Sequence, residues 1–241
     1  MELTSVNNEK VKYWQKLKMK KYRDREQLFL IEDEHLIQEG IKKNVIKEII
    51  TIDENNHYDL PTYYVNQKIM RLLSSQESGA KVIGVAKFLE EKEILGNILI
   101  LDNLQDPGNL GTIIRSAVAF NFDTIVLSED SVDVYNPKVV RASEGMIFHI
   151  NIKRCNLVEF LNQIDSCYQI VTTDVKKGKS IREIQAKYWA LIIGNEGKGV
   201  SEAVKSKSQE FVKIPMNNNC ESLNAAVSAS ILMYEIASFE D

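Results

Sequence analysis

From residue 97 onward, short apolar runs alternate with amphipathic segments, and that alternation admits few architectures. The runs Ile98, Leu99, Ile100, Leu101 and Ala190, Leu191, Ile192, Ile193 contain no polar residue. A strand with one solvated face alternates apolar and polar positions, so an unbroken run marks a strand covered on both faces. Strands are expected at 98–101, 124–127, 147–152, 169–173, Tyr188–Ile193 and 211–214. Helices are expected at 110–120, 137–143, 157–164, around 200–205 and at 222–238, the second with Asn136 as cap and Pro137 at its first position. This order predicts an α/β fold whose mostly parallel sheet carries helices on both faces. In such a sheet the loops at the carboxyl ends of the strands form the ligand crevice.

The first 88 residues are patterned differently. Asn7 or Asn8 caps a helix running to about Lys21, with Val11, Trp14, Leu17 and Lys18 on one stripe. Strand Leu28–Glu32, a helix at 34–43, strands at 45–52 and Thr62–Val65, helix Gln67–Leu73 and a strand at 81–88 complete a small α/β domain. The charged stretch 89–96 reads as a linker, which leaves 97–241 as a second domain. A length of 241 residues accommodates this division, and 44% hydrophobic content suffices for a core. No apolar run approaches the ~18 residues of a membrane span, and residues 1–12 lack the apolar stretch of a signal peptide, so a cytoplasmic protein without membrane attachment is expected. Cys155, Cys167 and Cys220 show no C-x-x-C spacing, and His35, His57 and His149 are scattered, so neither a metal site nor a disulfide framework is expected.

Net charge is −4, yet Lys10, Lys12, Lys16, Lys18, Lys20, Lys21, Arg23 and Arg25 crowd together with Asp24 as the one acid among them. A basic patch on an acidic chain marks contact with a polyanion, or else a solvated helix face. Tyr13, Trp14 and Tyr22 interleave with these charges, either to stack on bases or as the buried side of the helix.

Three further stretches carry chemistry. After the first strand of the second domain comes L-D-N-L-Q-D-P-G-N-L-G-T-I-I-R-S-A, with Asn109 at a cap position and Arg115 among Ile113, Ile114, Ala117 and Val118. A guanidinium there needs an anionic or carbonyl partner, which a ligand or a structural salt bridge would supply. Lys138 and Arg141 stand at a helix start, a pattern that suits phosphate or is surface charge. The turn Gly194 to Gly199 matches neither the P-loop nor G-x-G-x-x-G. Beyond it, Pro215 stops a strand, and an Asn-rich loop leads to Ser222, which can cap a helix rich in small residues.

In order along residues 97–238, the motifs N-x-x-D-P-G-N-L-G-T-I-I-R-S-A, N-P-K-V-V-R-A-S-x-G, I-I-G-N-E-G-x-G and I-P-M…E-S-L-N-A-A-V-S-A-S-I-L resemble the SpoU/TrmH family of RNA 2′-O-ribose methyltransferases. The segment S-V-N-N-x-K-V-K…F-L-I-E-D-E-H-L resembles the ribosomal-protein-like substrate-binding domain that precedes the catalytic half in some members, which usually have Glu-Gly where this chain has Glu32-Asp33. The resemblance implies a deep trefoil knot formed by the C-terminal segment, S-adenosyl-L-methionine bound within it, and a homodimer with active sites near the interface. By family pattern Gly194, Ile214 and Leu223 contact the cofactor largely through backbone, with Thr172 as a further candidate. Asn109, Arg115, Glu196, Ser222 and Asn224 carry over as the catalytic cluster, with Glu196 or Asn224 as the partner of Arg115 in the free enzyme. Lys16, Lys18, Lys20, Lys21, Lys138 and Arg141 are the candidate RNA contacts.

The implied activity is methyl transfer to a ribose 2′-hydroxyl of RNA, with ribosomal RNA as the expected substrate. Transfer RNA is the alternative substrate, and a non-catalytic RNA-binding member is the alternative class. The presence of all five cluster residues speaks against the latter. Arg115 either deprotonates transiently with help from the RNA phosphate, or stays protonated and stabilises the developing alkoxide.

Overall fold

The apolar runs become two separate sheets. The computed structural model describes residues 1–55, 58–77, 79–174 and 177–238; His57 lies outside the described residues. The chain divides into two compact units, Met1–Glu90 with Asp133–Phe148, and Glu91–Val132 with His149–Asp241.

The first unit begins with β1 (Glu2–Leu3), α1 (Glu9–Lys16), α2 (Lys20–Glu26), β2 (Leu28–Glu32), α3 (Glu34–Lys42), β3 (Ile46–Thr51), β4 (Thr62–Val65), α4 (Gln67–Leu73) and β5 (Val82–Lys87). Its sheet has the order β1-β4-β3-β5-β2 and is mixed, because β5 runs antiparallel to both β3 and β2. Trp14, Leu17, Ile50, Ile69, Met70, Leu73 and Ile83 form one of its buried clusters.

The single helix expected up to Lys21 is two. Asn8 caps α1 by accepting from the Lys10 N–H, as the sequence suggests. The break follows from Arg23, only 4% exposed, whose Nη1 donates to the Leu17 and Lys18 carbonyls at 3.0 and 2.8 Å and whose Nη2 pairs with Asp133. A guanidinium that claims these carbonyls satisfies the end of α1 in place of a continuing helix. Trp14 is fully buried, so its ring belongs to the core.

The chain continues as β6 (Asn97–Leu101), α5 (Pro107–Ala119), β7 (Phe122–Ser128), α6 (Pro137–Ala142), β8 (Asn151–Cys155), α7 (Leu157–Gln163), β9 (Tyr168–Thr173), β10 (Tyr188–Ile193), α8 (Glu202–Lys205), β11 (Glu210–Val212) and α9 (Ala225–Ala237). Helix α6 and its flanks group with the first unit, where the Tyr135 ring packs on Phe29 and Phe88 and its hydroxyl accepts from the Leu89 N–H. The second sheet has the order β11-β9-β10-β6-β7-β8 and every pairing is parallel. The α/β fold with a parallel sheet is therefore as expected, and β6 and β10 lie at its centre.

Several boundaries shift by a residue or two, β11 among them at Glu210–Val212 in place of 211–214, and three differ in how the element starts. The strand expected at 147–152 is a 3-10 turn at Met146–His149 followed by β8, which pairs Asn151 with Thr124. Helix α5 starts before Leu110, with Pro107 in its first turn and Asp106 as cap; Asn109 is already inside it. Helix α9 is capped by Asn224, whose side chain accepts from the Ala226 and Val227 N–H groups, so Ser222 lies before the helix. No helix among the described residues is long and apolar enough to cross a membrane.

Candidate active site

All strands of the second sheet end on one edge, and the loops after β6, β10 and β11 gather there. The loop after β10 is a closed ring. Asn195 and Gly199 exchange backbone hydrogen bonds at 3.0 and 2.9 Å, and the Asn195 Oδ1 accepts from the Gly197 and Lys198 N–H groups. Position 194 tolerates only glycine, since a Cβ would lie 2.2 Å from the Gly199 carbonyl carbon and the Val200 nitrogen. Two bonds fix the ring to the turn after β6: Asn195 Nδ2 donates to the Asn103 carbonyl at 2.8 Å, and the Ser201 N–H donates to buried Asp102 at 2.7 Å.

This ring turns Glu196 toward the start of α5. Its carboxylate accepts from the Gln105 N–H at 3.4 Å, the Asp106 N–H at 3.2 Å and the Asn109 side-chain amide at 3.0 Å. The Asn109 Oδ1 in turn accepts from Asn224 Nδ2 at 2.9 Å. Burial pushes the Glu196 carboxyl upward, but the Asn109 amide and the backbone N–H groups outweigh it and hold the group below the ordinary carboxylate range. Glu196, Asn109 and Asn224, widely separated in sequence, thus form one hydrogen-bonded chain.

Beside it lies a cavity of about 510 Å³ lined by Gly194, Glu196, Ile214, Ser222 and Leu223, together with Thr173, Asp174, Lys198, Lys205 and Lys213. Gly194, Ile214 and Leu223 come from separate loops and meet here. The wall combines loop backbone with Ile193, Val200, Val212 and Leu223, and polar side chains stand among them. That mixture suits a small ligand that has both apolar and polar parts. Thr172 does not join the lining: it is fully buried and its hydroxyl bonds Ser208, so Thr173 and Asp174 occupy that part of the wall.

Arg115 is exposed on α5, and among the described residues it makes no hydrogen bond or ion pair. The expected contact with Glu196 or Asn224 is not formed. N–H donors already satisfy the Glu196 carboxylate, and the Asn224 carbonyl oxygen is committed to capping α9.

The candidate RNA contacts separate into two kinds. Lys16, Lys20, Lys21, Lys138 and Arg141 are exposed, with Lys20 paired to Asp24 and the Lys16 ammonium 5.8 Å from the Tyr22 ring. Lys18 is used structurally, because its ammonium donates to the Leu72 and Ser74 carbonyls at 3.1 and 2.9 Å at the end of α4. Sequence reasoning missed the organising parts played by Asn195, Asp102 and Asp106. The Asp106-Pro107 pair carried the signal for an earlier helix start, and Asn195 followed by Glu-Gly carried that of a side-chain-stabilised turn.

The SpoU rRNA Methylase family model matches residues 96–234, and the MRM3-like substrate binding domain model matches residues 8–86. The chain is 36% identical over 244 residues to a 23S rRNA (guanosine(2553)-2'-O)-methyltransferase, RlmP, of Bacillus subtilis, with 98% of each chain covered. An AdoMet-bound rRNA methyltransferase of Sinorhizobium meliloti is similar at 27% identity and a TM-score of 0.88, covering 100% of this chain and 98% of that one. The SpoU methyltransferase AviRb of Streptomyces viridochromogenes, solved with AdoMet, has a TM-score of 0.87 at 24% identity over 97% of this chain and 98% of its own, a likeness of fold.

Proposed function

This chain belongs to the SpoU rRNA methylase family, and from that premise we propose that it transfers a methyl group from S-adenosyl-L-methionine to a ribose 2′-hydroxyl of ribosomal RNA. The observation that carries the reading is the Glu196–Asn109–Asn224 chain set beside the cavity where Gly194, Ile214 and Leu223 meet. Those three residues hold the cofactor, chiefly by backbone, and Thr173 stands where Thr172 was expected. Bound S-adenosyl-L-methionine supplies an electrophilic methyl on a sulfonium.

The attacking ribose hydroxyl has to shed its proton as it reacts. Glu196 is ill suited to take it, since a carboxyl held below its ordinary range is a weak base. Its charge instead fixes Asn109 and the turn before α5. Arg115 offers a planar cationic fork that binds the adjacent phosphate and stabilises the developing alkoxide, while the proton passes to solvent. Its exposure leaves the guanidinium available to RNA. Ser222 and Asn224 border the same place and orient the ribose.

The remaining parts of the proposal concern assembly. The segment following β10 threads into a deep trefoil knot that encloses the cofactor, within a catalytic domain of residues 97–241 joined by the 89–96 linker to an RNA-binding domain of residues 1–88. A homodimer forms on the outer side of α9, where Val227 is 46% and Tyr234 57% exposed. Burying such side chains against a second copy supplies association energy. Acting on ribosomal RNA places the protein in the cytoplasm.

The test is to map 2′-O-methylated positions in total RNA from cells with and without the protein. Loss of one methylation in 23S rRNA is the expected result, with the guanosine modified by the B. subtilis relative as the first position to inspect. A methylation lost from transfer RNA instead, or no change at all, would reject the reading.

A further inference from the structure

Arg154 stands on β8, the edge strand of the second sheet, and its guanidinium reaches past the end of β7. Nη1 donates to the carbonyls of Ser128, Glu129 and Ser131 at 3.0, 2.8 and 2.7 Å, and Nη2 donates to Val132 at 2.5 Å. One side chain therefore gathers the carbonyls of a whole loop, which lysine, with a compact ammonium in place of a planar fork, cannot reproduce.

That loop is laced to the turn after β6. The Asn103 N–H donates to Ser128 Oγ at 2.8 Å, Gln105 Nε2 donates to the Asp130 carbonyl at 2.9 Å, and the Val132 N–H donates to the Leu104 carbonyl at 2.8 Å. The same turn presents the Gln105 and Asp106 N–H groups to Glu196. An unbroken series of hydrogen bonds thus runs from the sheet edge to the reaction centre, and each member has a backbone group at one end.

We propose that Arg154 is a positioning residue for Glu196, acting through the 128–132 loop and the turn that donates to its carboxylate. This rests on the placement of Glu196 in the reaction centre. Arg154 is not among the residues that line the cavity; it fixes where two of the donors point. Misplacement of a supporting turn by about an ångström is enough to slow a positioned reaction by one to two orders of magnitude.

The test compares Arg154→Gln, Gln105→Ala and the double variant. Gln105→Ala keeps the Arg154 fork and removes one of the three links between loop and turn, together with the Gln105 bonds to Asn103, so it remains informative if Arg154→Gln folds poorly. Each single variant is expected to slow the single-turnover methylation step roughly tenfold or more, to leave cofactor affinity unchanged, and to combine less than additively, because both act on one path. Arg154→Lys does not rescue. A second readout is independent of turnover: carboxyl NMR titration of Glu196. With its donors loosened, the group should titrate at higher pH in both variants than in the unmodified protein. Unchanged titration, or fully additive rate losses, overturns the proposal. A raised titration point with normal turnover upholds the coupling and instead rejects the assignment of Glu196 to the reaction. Glu196→Gln serves as the control for that assignment.

Discussion

Two arginines, read from sequence in opposite ways, exchange roles in the structure. Arg23 lies in the basic stretch that marks a polyanion contact, yet it is buried, paired with Asp133 and bonded to the Leu17 and Lys18 carbonyls. Arg115 lies in an apolar helix where a buried partner was expected, yet it is exposed and unpaired among the described residues. Local composition reports the density of charge. It does not report which cation holds backbone and which is left for a ligand, because that depends on groups far away in sequence.

The comparison breaks most sharply at Arg23. Arg23→Ala leaves Asp133 and two carbonyls without their partner. Losing one side of a buried pair costs about 3–5 kcal/mol, and a strongly lowered melting temperature is expected, with methyl transfer intact in the folded fraction. Thermal unfolding alongside single-turnover kinetics checks this. An unchanged melting temperature would make Arg23 an ordinary cation of the basic stretch, open to a polyanion.

Arg115 should behave in the reverse manner. Arg115→Ala is expected to slow methyl transfer by roughly 10²-fold, the scale for loss of one electrostatic stabiliser. Melting temperature and cofactor affinity should hardly move, because Arg115 contacts nothing among the described residues that a truncation would orphan. Arg115→Lys should fail to restore the rate, since lysine lacks the two-point fork. A destabilised variant with near-normal turnover would make Arg115 a structural residue after all.

A gentler version of the comparison separates the lysines. Replacing Lys16, Lys20 and Lys21 with Gln should flatten the dependence of log K on log salt for RNA binding, by up to about 0.7–0.9 per lost phosphate contact. Lys18→Gln should lower stability more than it lowers that slope, because its ammonium serves the Leu72 and Ser74 carbonyls. Equal slope changes for all four would show that Lys18 leaves α4 when RNA arrives.

How much of this was legible follows from the range of the forces involved. Periodicity is local, so helix Gln67–Leu73 and the strands Thr62–Val65 and Tyr188–Ile193 stand where apolar spacing and turn residues put them. The parallel sheet followed from runs without polar residues. The break between α1 and α2 was hidden, because its cause is a side chain that folds back on the preceding carbonyls and pairs with Asp133, over a hundred residues away. The grouping of Asp133–Phe148 with the first unit was hidden too, since that segment interrupts the strand order of the other sheet. At the candidate site, motifs named Asn109, Glu196 and Asn224, while only the fold supplies the hydrogen bonds that join them.

The smallest expected effect concerns an acid that, like Arg23, holds backbone. Asp33 has φ 130° and ψ 133°, a region that favours glycine, and glycine is usual here in the relatives that the N-terminal sequence resembles. What the aspartate gives in return is a cap: its Oδ1 accepts from the His35 N–H at 2.8 Å at the start of α3. Strained backbone of this kind costs about 1–3 kcal/mol. Exchanging an aspartate cap for glycine loses only a few tenths of a kcal/mol, and the added chain entropy of glycine loses about 0.5–1 more. Asp33→Gly should therefore stabilise the protein by about 0–2 kcal/mol, a rise of about 2–4 °C per kcal/mol in a chain of this size. Asp33→Ala keeps the strain and loses the cap, so it should destabilise by about 1 kcal/mol. Thermal unfolding of the two variants decides which matters more: if glycine proves as destabilising as alanine, the hydrogen bond to His35 outweighs the backbone strain, and Asp33 holds α3 as firmly as Arg23 holds the end of α1.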